Sequence, residues 1–132
     1  MEIQRIDESQ GEPPADLAEH FQGVVRMQHV APPVPDAPAV FSVHFEAGGR
    51  TRPHRHLAGQ VLTITSGHGV VGVESGRRLV EAGDVVVASP GEWHWHGATP
   101  FAPMSHLVVQ MGGPDSVDWD VEERDWGGDC EG

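Results

Sequence analysis

Several short segments of this chain alternate between hydrophobic and polar residues, and Gly or Pro turns separate them. In residues 40–46, Phe41, Val43 and Phe45 occupy alternate positions and would share one face of a strand. The same alternation and turn spacing predict further strands at residues 60–65, 69–74, 77–80, 84–88 and 105–111. Because these strands are short and helical periodicity is almost missing, we expect an all-β antiparallel sandwich or barrel.

The two ends of the chain lack this pattern. Residues 1–38 combine acidic residues with Gly and Pro, and we expect at most a short helix over residues 16–21. The prolines of residues 32–38 predict a loop, since Pro removes backbone donors. This N-terminal extension is expected to pack on a barrel core of residues 39–111. Residues 112–132 form an acidic C-terminal tail, in which Trp119 and Trp126 are expected to cover a hydrophobic edge.

Composition limits the size of the protein and the partners that we expect. With 132 residues, 38% of them hydrophobic, the chain is long enough for one domain with a core. Its formal net charge is -12, and all eight basic residues are arginines. Such a surface repels phosphate backbones and anionic lipids, so we expect neither a nucleic-acid nor a membrane partner. Adaptation to high salt is a further explanation of the acidity.

The apolar stretches, the N-terminus and the cysteine content of the chain together predict a cytoplasmic protein. No stretch approaches the roughly 20 apolar residues that cross a bilayer, and the N-terminus MEIQRIDESQ is acidic, unlike an export signal. Cys130 is the single cysteine and cannot form a disulfide within the chain.

Two pairs of histidines suggest a metal site. His54 and His56 lie two residues apart after a Gly-Gly turn, so on a strand both point to one face, and Gln60 has the same parity. His94 and His96 repeat this spacing after a Pro-Gly turn, and antiparallel pairing could bring His94 beside the first pair. Imidazole nitrogen and amide oxygen are both ligands for divalent first-row metals. The alternative is that Gln60 only satisfies a neighbouring backbone group.

These positions resemble the two motifs of the cupin family. The first motif, G-x5-H-x-H-x3,4-E-x6-G, is matched at Gly48, His54, His56, Gln60 and Gly67, with Gln60 in the acidic position. The second motif, G-x5-P-x-G-x2-H-x3-N, is matched at Gly83, Gly91 and His94. Ser89 stands at its proline and Ala98 at its frequent asparagine.

The resemblance implies a double-stranded β-helix (jelly-roll) barrel with short irregular N- and C-terminal extensions. It also implies one divalent ion held by His54, His56, Gln60 and His94. Manganese is favoured, and iron, nickel, cobalt or zinc are alternatives. Gln60 leaves the site more positive than a glutamate would, which strengthens its Lewis acidity.

The segment PGEWHWHGATPFAPMSH, residues 90–106, is similar to a subgroup of small single-domain cupins that includes manganese-type hydroxynitrile lyases. In such a lyase the substrate hydroxyl binds at the metal, and His106 or His96 removes its proton as cyanide leaves. Phe41, Val43 and Gln110 would line the substrate pocket. Both histidines could instead only orient the metal ligands.

Three classes of function follow from the resemblance: a metal-dependent lyase acting on a small oxygenated molecule, an iron-type dioxygenase, and a non-catalytic small-molecule-binding protein. Cupins commonly pair their barrels, so we also expect a homodimer or a larger homo-oligomer.

Overall fold

The computed structural model of the chain describes residues 1–31, 34, 36–111, 116–119 and 130–131. Within them, regular structure is almost entirely β-strand, with a short 3-10 helix at Ala15–His20. The strands in chain order are β1 (Phe21–Gln22), β2 (Val25–Ala31), β3 (Ala39–Phe45), β4 (Arg50–Thr51), β5 (His54–His56), β6 (Gln60–Val73), β7 (Gly76–Glu81), β8 (Val85–Ala88), β9 (Trp95–Ala98), β10 (Met104–Gln110), β11 (Val117–Trp119) and β12 (Cys130–Glu131). The all-β prediction is therefore confirmed. None of these described segments is a helix long and apolar enough to cross a membrane.

β6 is the central strand of the curled sheet. The first half of this 14-residue strand pairs with β8 and β10, and its second half pairs with β7 and β9. The sequence predicted two strands, at residues 60–65 and 69–74, and this prediction is wrong. Ser66 and Gly67 lie between the two predicted strands, but they continue the strand through a bend, where Gly67 has a φ of 76° and the pairing with β10 shifts register. One continuous strand therefore belongs to both halves of the barrel.

β3 and β10 form the other wall of the barrel and pair antiparallel along their whole length. Each lies within one residue of its predicted bounds. β2 pairs with the far side of β3, so the sheet also includes a seven-residue strand from the segment assigned to the N-terminal extension. Most of the predicted acidic tail, including Trp126, lies outside the described residues.

The inward faces of β3, β6 and β10 divide the barrel interior into an apolar part and a polar part. The apolar part contains buried hydrophobic side chains, among them Phe45, Leu62, Ile64, Met104 and Val108. On β10 the alternation places His106 and Gln110 on the same inward face as Met104 and Val108. His106 lies opposite Val43 and Ile64, and Gln110 lies opposite Gln60. The hydrophobic core therefore gives way to polar side chains toward one end of the barrel.

Candidate metal centre

Three buried histidines from two segments come together at the polar end of the barrel. On β5, His54 and His56 are buried while Arg55 between them is partly exposed, as strand alternation requires. His94 precedes β9 and lies directly opposite His54, and each backbone N–H donates to the other's carbonyl, at 2.8 and 2.9 Å. One ring nitrogen from each histidine lies within 4.8 Å of the others. The predicted approach of His94 to the first pair is present.

Backbone carbonyls fix the tautomers of two of these histidines. His54 Nδ1 donates to the carbonyl of Arg52 at 2.8 Å, and His94 Nδ1 donates to that of Glu92 at 2.9 Å. Since a carbonyl only accepts, Nε2 of each ring is left with its lone pair. Burial lowers the pKa of His94, and lowers that of His54 well below its usual value. Both are therefore neutral imidazoles at pH 7, the form that binds metals.

The remaining polar atoms of the site also fit a cation. Both ring nitrogens of His56 are buried and have no hydrogen-bond partner among the described residues, and burial lowers the pKa of His56 to about 4. Gln60 Oε1 lies 3.2 Å from His94 Nε2. With Nδ1 of His94 donating to Glu92, these two facing atoms are both acceptors, and a cation near them would relieve their repulsion. Three imidazole nitrogens and one amide oxygen suit a divalent first-row metal.

A small cavity of about 80 Å³ adjoins the three-histidine cluster. Phe41, Val43 and Gln110, the residues predicted to line a pocket, all line this cavity. Its wall includes further apolar residues that the sequence did not indicate as pocket residues: Leu17, Phe21, Met27, Val108, Val117 and Trp119. The inward position of Met27 could have been predicted from the sequence, because Val25 and Met27 alternate with polar residues in β2. Val108 shares one face of β10 with His106 and Gln110, as strand alternation predicts. Leu17, Phe21, Val117 and Trp119 are brought in by contacts between distant parts of the chain.

His96 and His106 line the same cavity and contact each other. His106 Nε2 lies 2.9 Å from His96 Nδ1, and both side chains are buried. The opposite nitrogens, His96 Nε2 and His106 Nδ1, have no hydrogen-bond partner in the described part of the chain. Burial lowers the pKa of His106 to about 3 and that of His96 well below its usual value. The two rings therefore form a neutral pair with one hydrogen between them.

The sequence profile of the cupin domain matches residues 41–110, more than half of the chain and all four candidate metal ligands. The protein belongs to the cupin family.

A curated relative supports a finer comparison. The (R)-mandelonitrile lyase of Granulicella tundricola is 44% identical over 124 residues, which cover 90% of this cupin and 92% of the relative. Among solved structures, a cupin-like protein from Thermotoga maritima is 31% identical to this chain, with a TM-score of 0.72. The match covers 80% of this chain and 86% of the Thermotoga chain. The polyketide cyclase RemF of Streptomyces resistomycificus is 16% identical, with a TM-score of 0.66 over 82% of this chain and 78% of its own. That last likeness shows the shared fold alone.

Outside the matched cupin region, β11 covers one side of the metal centre. It pairs antiparallel with β5, and this pairing places Trp119 opposite His54. The rings of Trp119 and His54 lie 4.7 Å apart, and Trp119 stacks on His20 with 4.1 Å between ring centroids. The sequence predicts that Trp119 covers a hydrophobic edge; in the structure its ring lies 6.2 Å from that of Phe21 and also lies against His54, a candidate metal ligand, at the wall of the cavity.

Proposed function

We propose that this cupin is a metal-dependent hydroxynitrile lyase, which cleaves a cyanohydrin into an aldehyde or ketone and hydrogen cyanide. The observation that carries the reaction class is the neutral His96–His106 pair, which lines the same cavity as His54 and His56 of the three-histidine cluster. Cyanohydrin cleavage needs a base for the hydroxyl proton and positive charge near the departing cyanide. The similarity to an (R)-mandelonitrile lyase supports the substrate class.

His54, His56, Gln60 and His94 would hold the metal, and manganese is the ion that we favour. All four are neutral ligands, so the site keeps the full charge of a divalent ion. When bound, such an ion supplies positive charge that stabilises developing alkoxide and cyanide. The three histidines are buried and Trp119 lies against His54, and this low exposure to water strengthens that electrostatic effect.

The His96–His106 pair moves the proton. One hydrogen lies between His96 Nδ1 and His106 Nε2. When the free nitrogen of one ring gains a proton, that ring can pass the shared hydrogen to the other ring. The pair thus takes the hydroxyl proton without placing a full charge on one fixed atom. The same proton is then available to protonate cyanide.

The cavity wall provides an apolar surface for the organic part of the substrate. Phe41 and Val43 form part of this wall beside His106. The cavity is small, at about 80 Å³, and it is partly open to the surface. Leu17 and Trp119 line it, and movement of these side chains would admit a larger organic group.

The proposal is tested by loading the purified protein with Mn²⁺ and adding mandelonitrile. We expect stoichiometric release of benzaldehyde and cyanide without oxygen consumption, lost in His54→Ala. Oxygen uptake with Fe²⁺ would instead indicate the dioxygenase alternative. If neither reaction occurs on a panel of aliphatic and aromatic cyanohydrins, the lyase proposal fails and a binding protein is left.

We further propose that the chain forms a homodimer through the outer face of the sheet. One row of valines crosses four adjacent strands and consists of Val87, Val61, Val109 and Val40. On β8, Val85 and Val87 are 59% and 68% exposed. The row contains no charged side chain, so a second copy would bury it without placing like charges in contact. Val87→Glu should shift the mass measured by light scattering from dimer to monomer. An unchanged dimer would exclude this face.

A further inference from the structure

We propose that Gln110 is a positioning residue, which fixes the side-chain amide of Gln60 so that its oxygen, and not its nitrogen, faces the histidine cluster. This inference rests on the proposed metal centre. It assigns Gln110 a role beyond lining the cavity.

The argument begins with the two ends of the Gln60 amide. Oxygen and nitrogen occupy nearly the same space, but only the oxygen has lone pairs available for a metal, because the nitrogen is a donor. Gln60 is 5% exposed, so bulk water cannot decide which end faces the histidines. In the structure, Gln60 Nε2 donates to Gln110 Oε1 at 2.8 Å, while Gln60 Oε1 lies 3.2 Å from His94 Nε2. With its oxygen toward Gln60, Gln110 therefore holds the Gln60 amide in the orientation that a metal needs.

The backbone holds the two glutamines in this relation. They are direct partners on β6 and β10, where opposite side chains begin about 5 Å apart. Each strand is also paired on its other side, β6 at Ala88 of β8 and β10 at Ala39 of β3. Neither glutamine can therefore shift away from the other without breaking backbone pairing between the adjacent strands β8, β6, β10 and β3.

The chemistry of the residue at position 60 explains why such a partner is needed here. A glutamate presents two equivalent oxygens, so either orientation offers a ligand atom. A glutamine presents one oxygen and must be oriented. We therefore expect Gln110 to matter for metal binding only while residue 60 is a glutamine.

A double-mutant cycle on metal affinity tests this dependence. Each metal-free protein is titrated with Mn²⁺, and the free ion is followed by its electron paramagnetic resonance signal. In the wild-type background, Gln110→Leu should raise the Kd for Mn²⁺ by about tenfold or more. In the Gln60→Glu background, the same substitution should change the Kd by less than about twofold. Gln110→Glu, which keeps an acceptor, should bind Mn²⁺ at least as tightly as the wild type.

The outcomes separate this inference from the proposed function. If the wild type binds no Mn²⁺ or other divalent first-row ion, the metal centre fails and the role of Gln110 fails with it. If the wild type binds Mn²⁺ but Gln110→Leu leaves the Kd unchanged, only the positioning role is wrong. An equal loss in both backgrounds would show that Gln110 merely supports the fold. If Gln110→Leu does not fold, weaker binding by Gln110→Glu than by the wild type would overturn the inference.

Discussion

His106 Nε2 and His96 Nδ1 lie 2.9 Å apart inside the barrel, and one hydrogen joins the two rings. Neither ring is within reach of bulk solvent, since His106 is 0% exposed and His96 is 4% exposed. A proton that enters at one ring is therefore best accommodated by redistribution within the pair. This relationship links the metal centre to acid–base chemistry.

Removing one member of the pair should impair turnover and spare metal binding. We expect His106→Leu to lower kcat for mandelonitrile cleavage by about 10²- to 10⁴-fold, the usual contribution of a positioned base. Mn²⁺ content, measured by elemental analysis, should be unchanged because His106 is not one of the proposed ligands. The control is His68→Leu, in which a side chain 66% exposed is replaced. Full activity in His106→Leu would exclude the histidine pair as the proton acceptor.

The metal-free protein should lose stability as the pH falls. Burial lowers the pKa of the five histidines of the site, His54, His56, His94, His96 and His106. Below about pH 6.5 the unfolded chain therefore binds protons that the folded chain does not. Stability should be complete above that pH and decline as the pH falls toward about 4 and about 3, the pKa values of His56 and His106.

Urea unfolding of chelator-treated protein at pH 7.5, 6 and 5 measures this decline. His68→Gln, at an exposed position, should show the same dependence as the wild type. A midpoint that stays constant over this range would contradict the assigned burial of the site.

Gly67 should be irreplaceable at the bend of β6. Its φ of 76° disfavours any side chain, and a Cβ there would collide with the carbonyl of Pro103. Gly91 has a φ of 77° but has open space around a Cβ, so it is a matched control. We expect Gly91→Ala to lower the free energy of unfolding by about 1 kcal/mol, from backbone strain alone. Gly67→Ala should lower the free energy of unfolding by about 1–3 kcal/mol more than Gly91→Ala does. Equal losses in chemical denaturation would show that the bend tolerates a side chain.

Phe41 should limit the size of the substrate. Because its ring lines a cavity of only about 80 Å³, Phe41→Ala enlarges the space for the organic group. The ratio of kcat/KM for mandelonitrile to that for acetone cyanohydrin should rise by roughly tenfold, within the range typical of pocket reshaping. The ratio corrects for any general loss of activity. Phe101→Ala, at a 92% exposed position, should leave it unchanged. An unaltered ratio in Phe41→Ala would mean that the substrate does not contact this wall.

Those parts of the fold and site that depend on local pattern could be predicted from the sequence. Alternation located β3 and β10, and the two-residue spacing placed His54 with His56 on one face. The motif spacing indicated His94 as their partner, and the structure pairs it with His54. The resemblance indicated His106 as a base and Gln110 as a pocket residue, and both lie on the inward face of β10.

The features that were missed depend on contacts between distant residues. Ser66-Gly67 reads as a turn, and only the ladder with β10 shows that β6 continues through it. No local signal tells that Gln60 and Gln110 are opposite one another, 50 residues apart. The approach of Trp119 to His54 likewise depends on β11 pairing with β5, a pairing that the sequence does not predict.

The most direct test of the metal-dependent lyase is the activity of the chelator-treated protein as Mn²⁺ is added back. Mandelonitrile cleavage should be absent at the start, rise linearly, and level off at one equivalent of Mn²⁺ per chain. His94→Ala should show no such rise, since it removes a nitrogen of the three-histidine cluster. Full cleavage activity in the metal-free wild type would contradict the account.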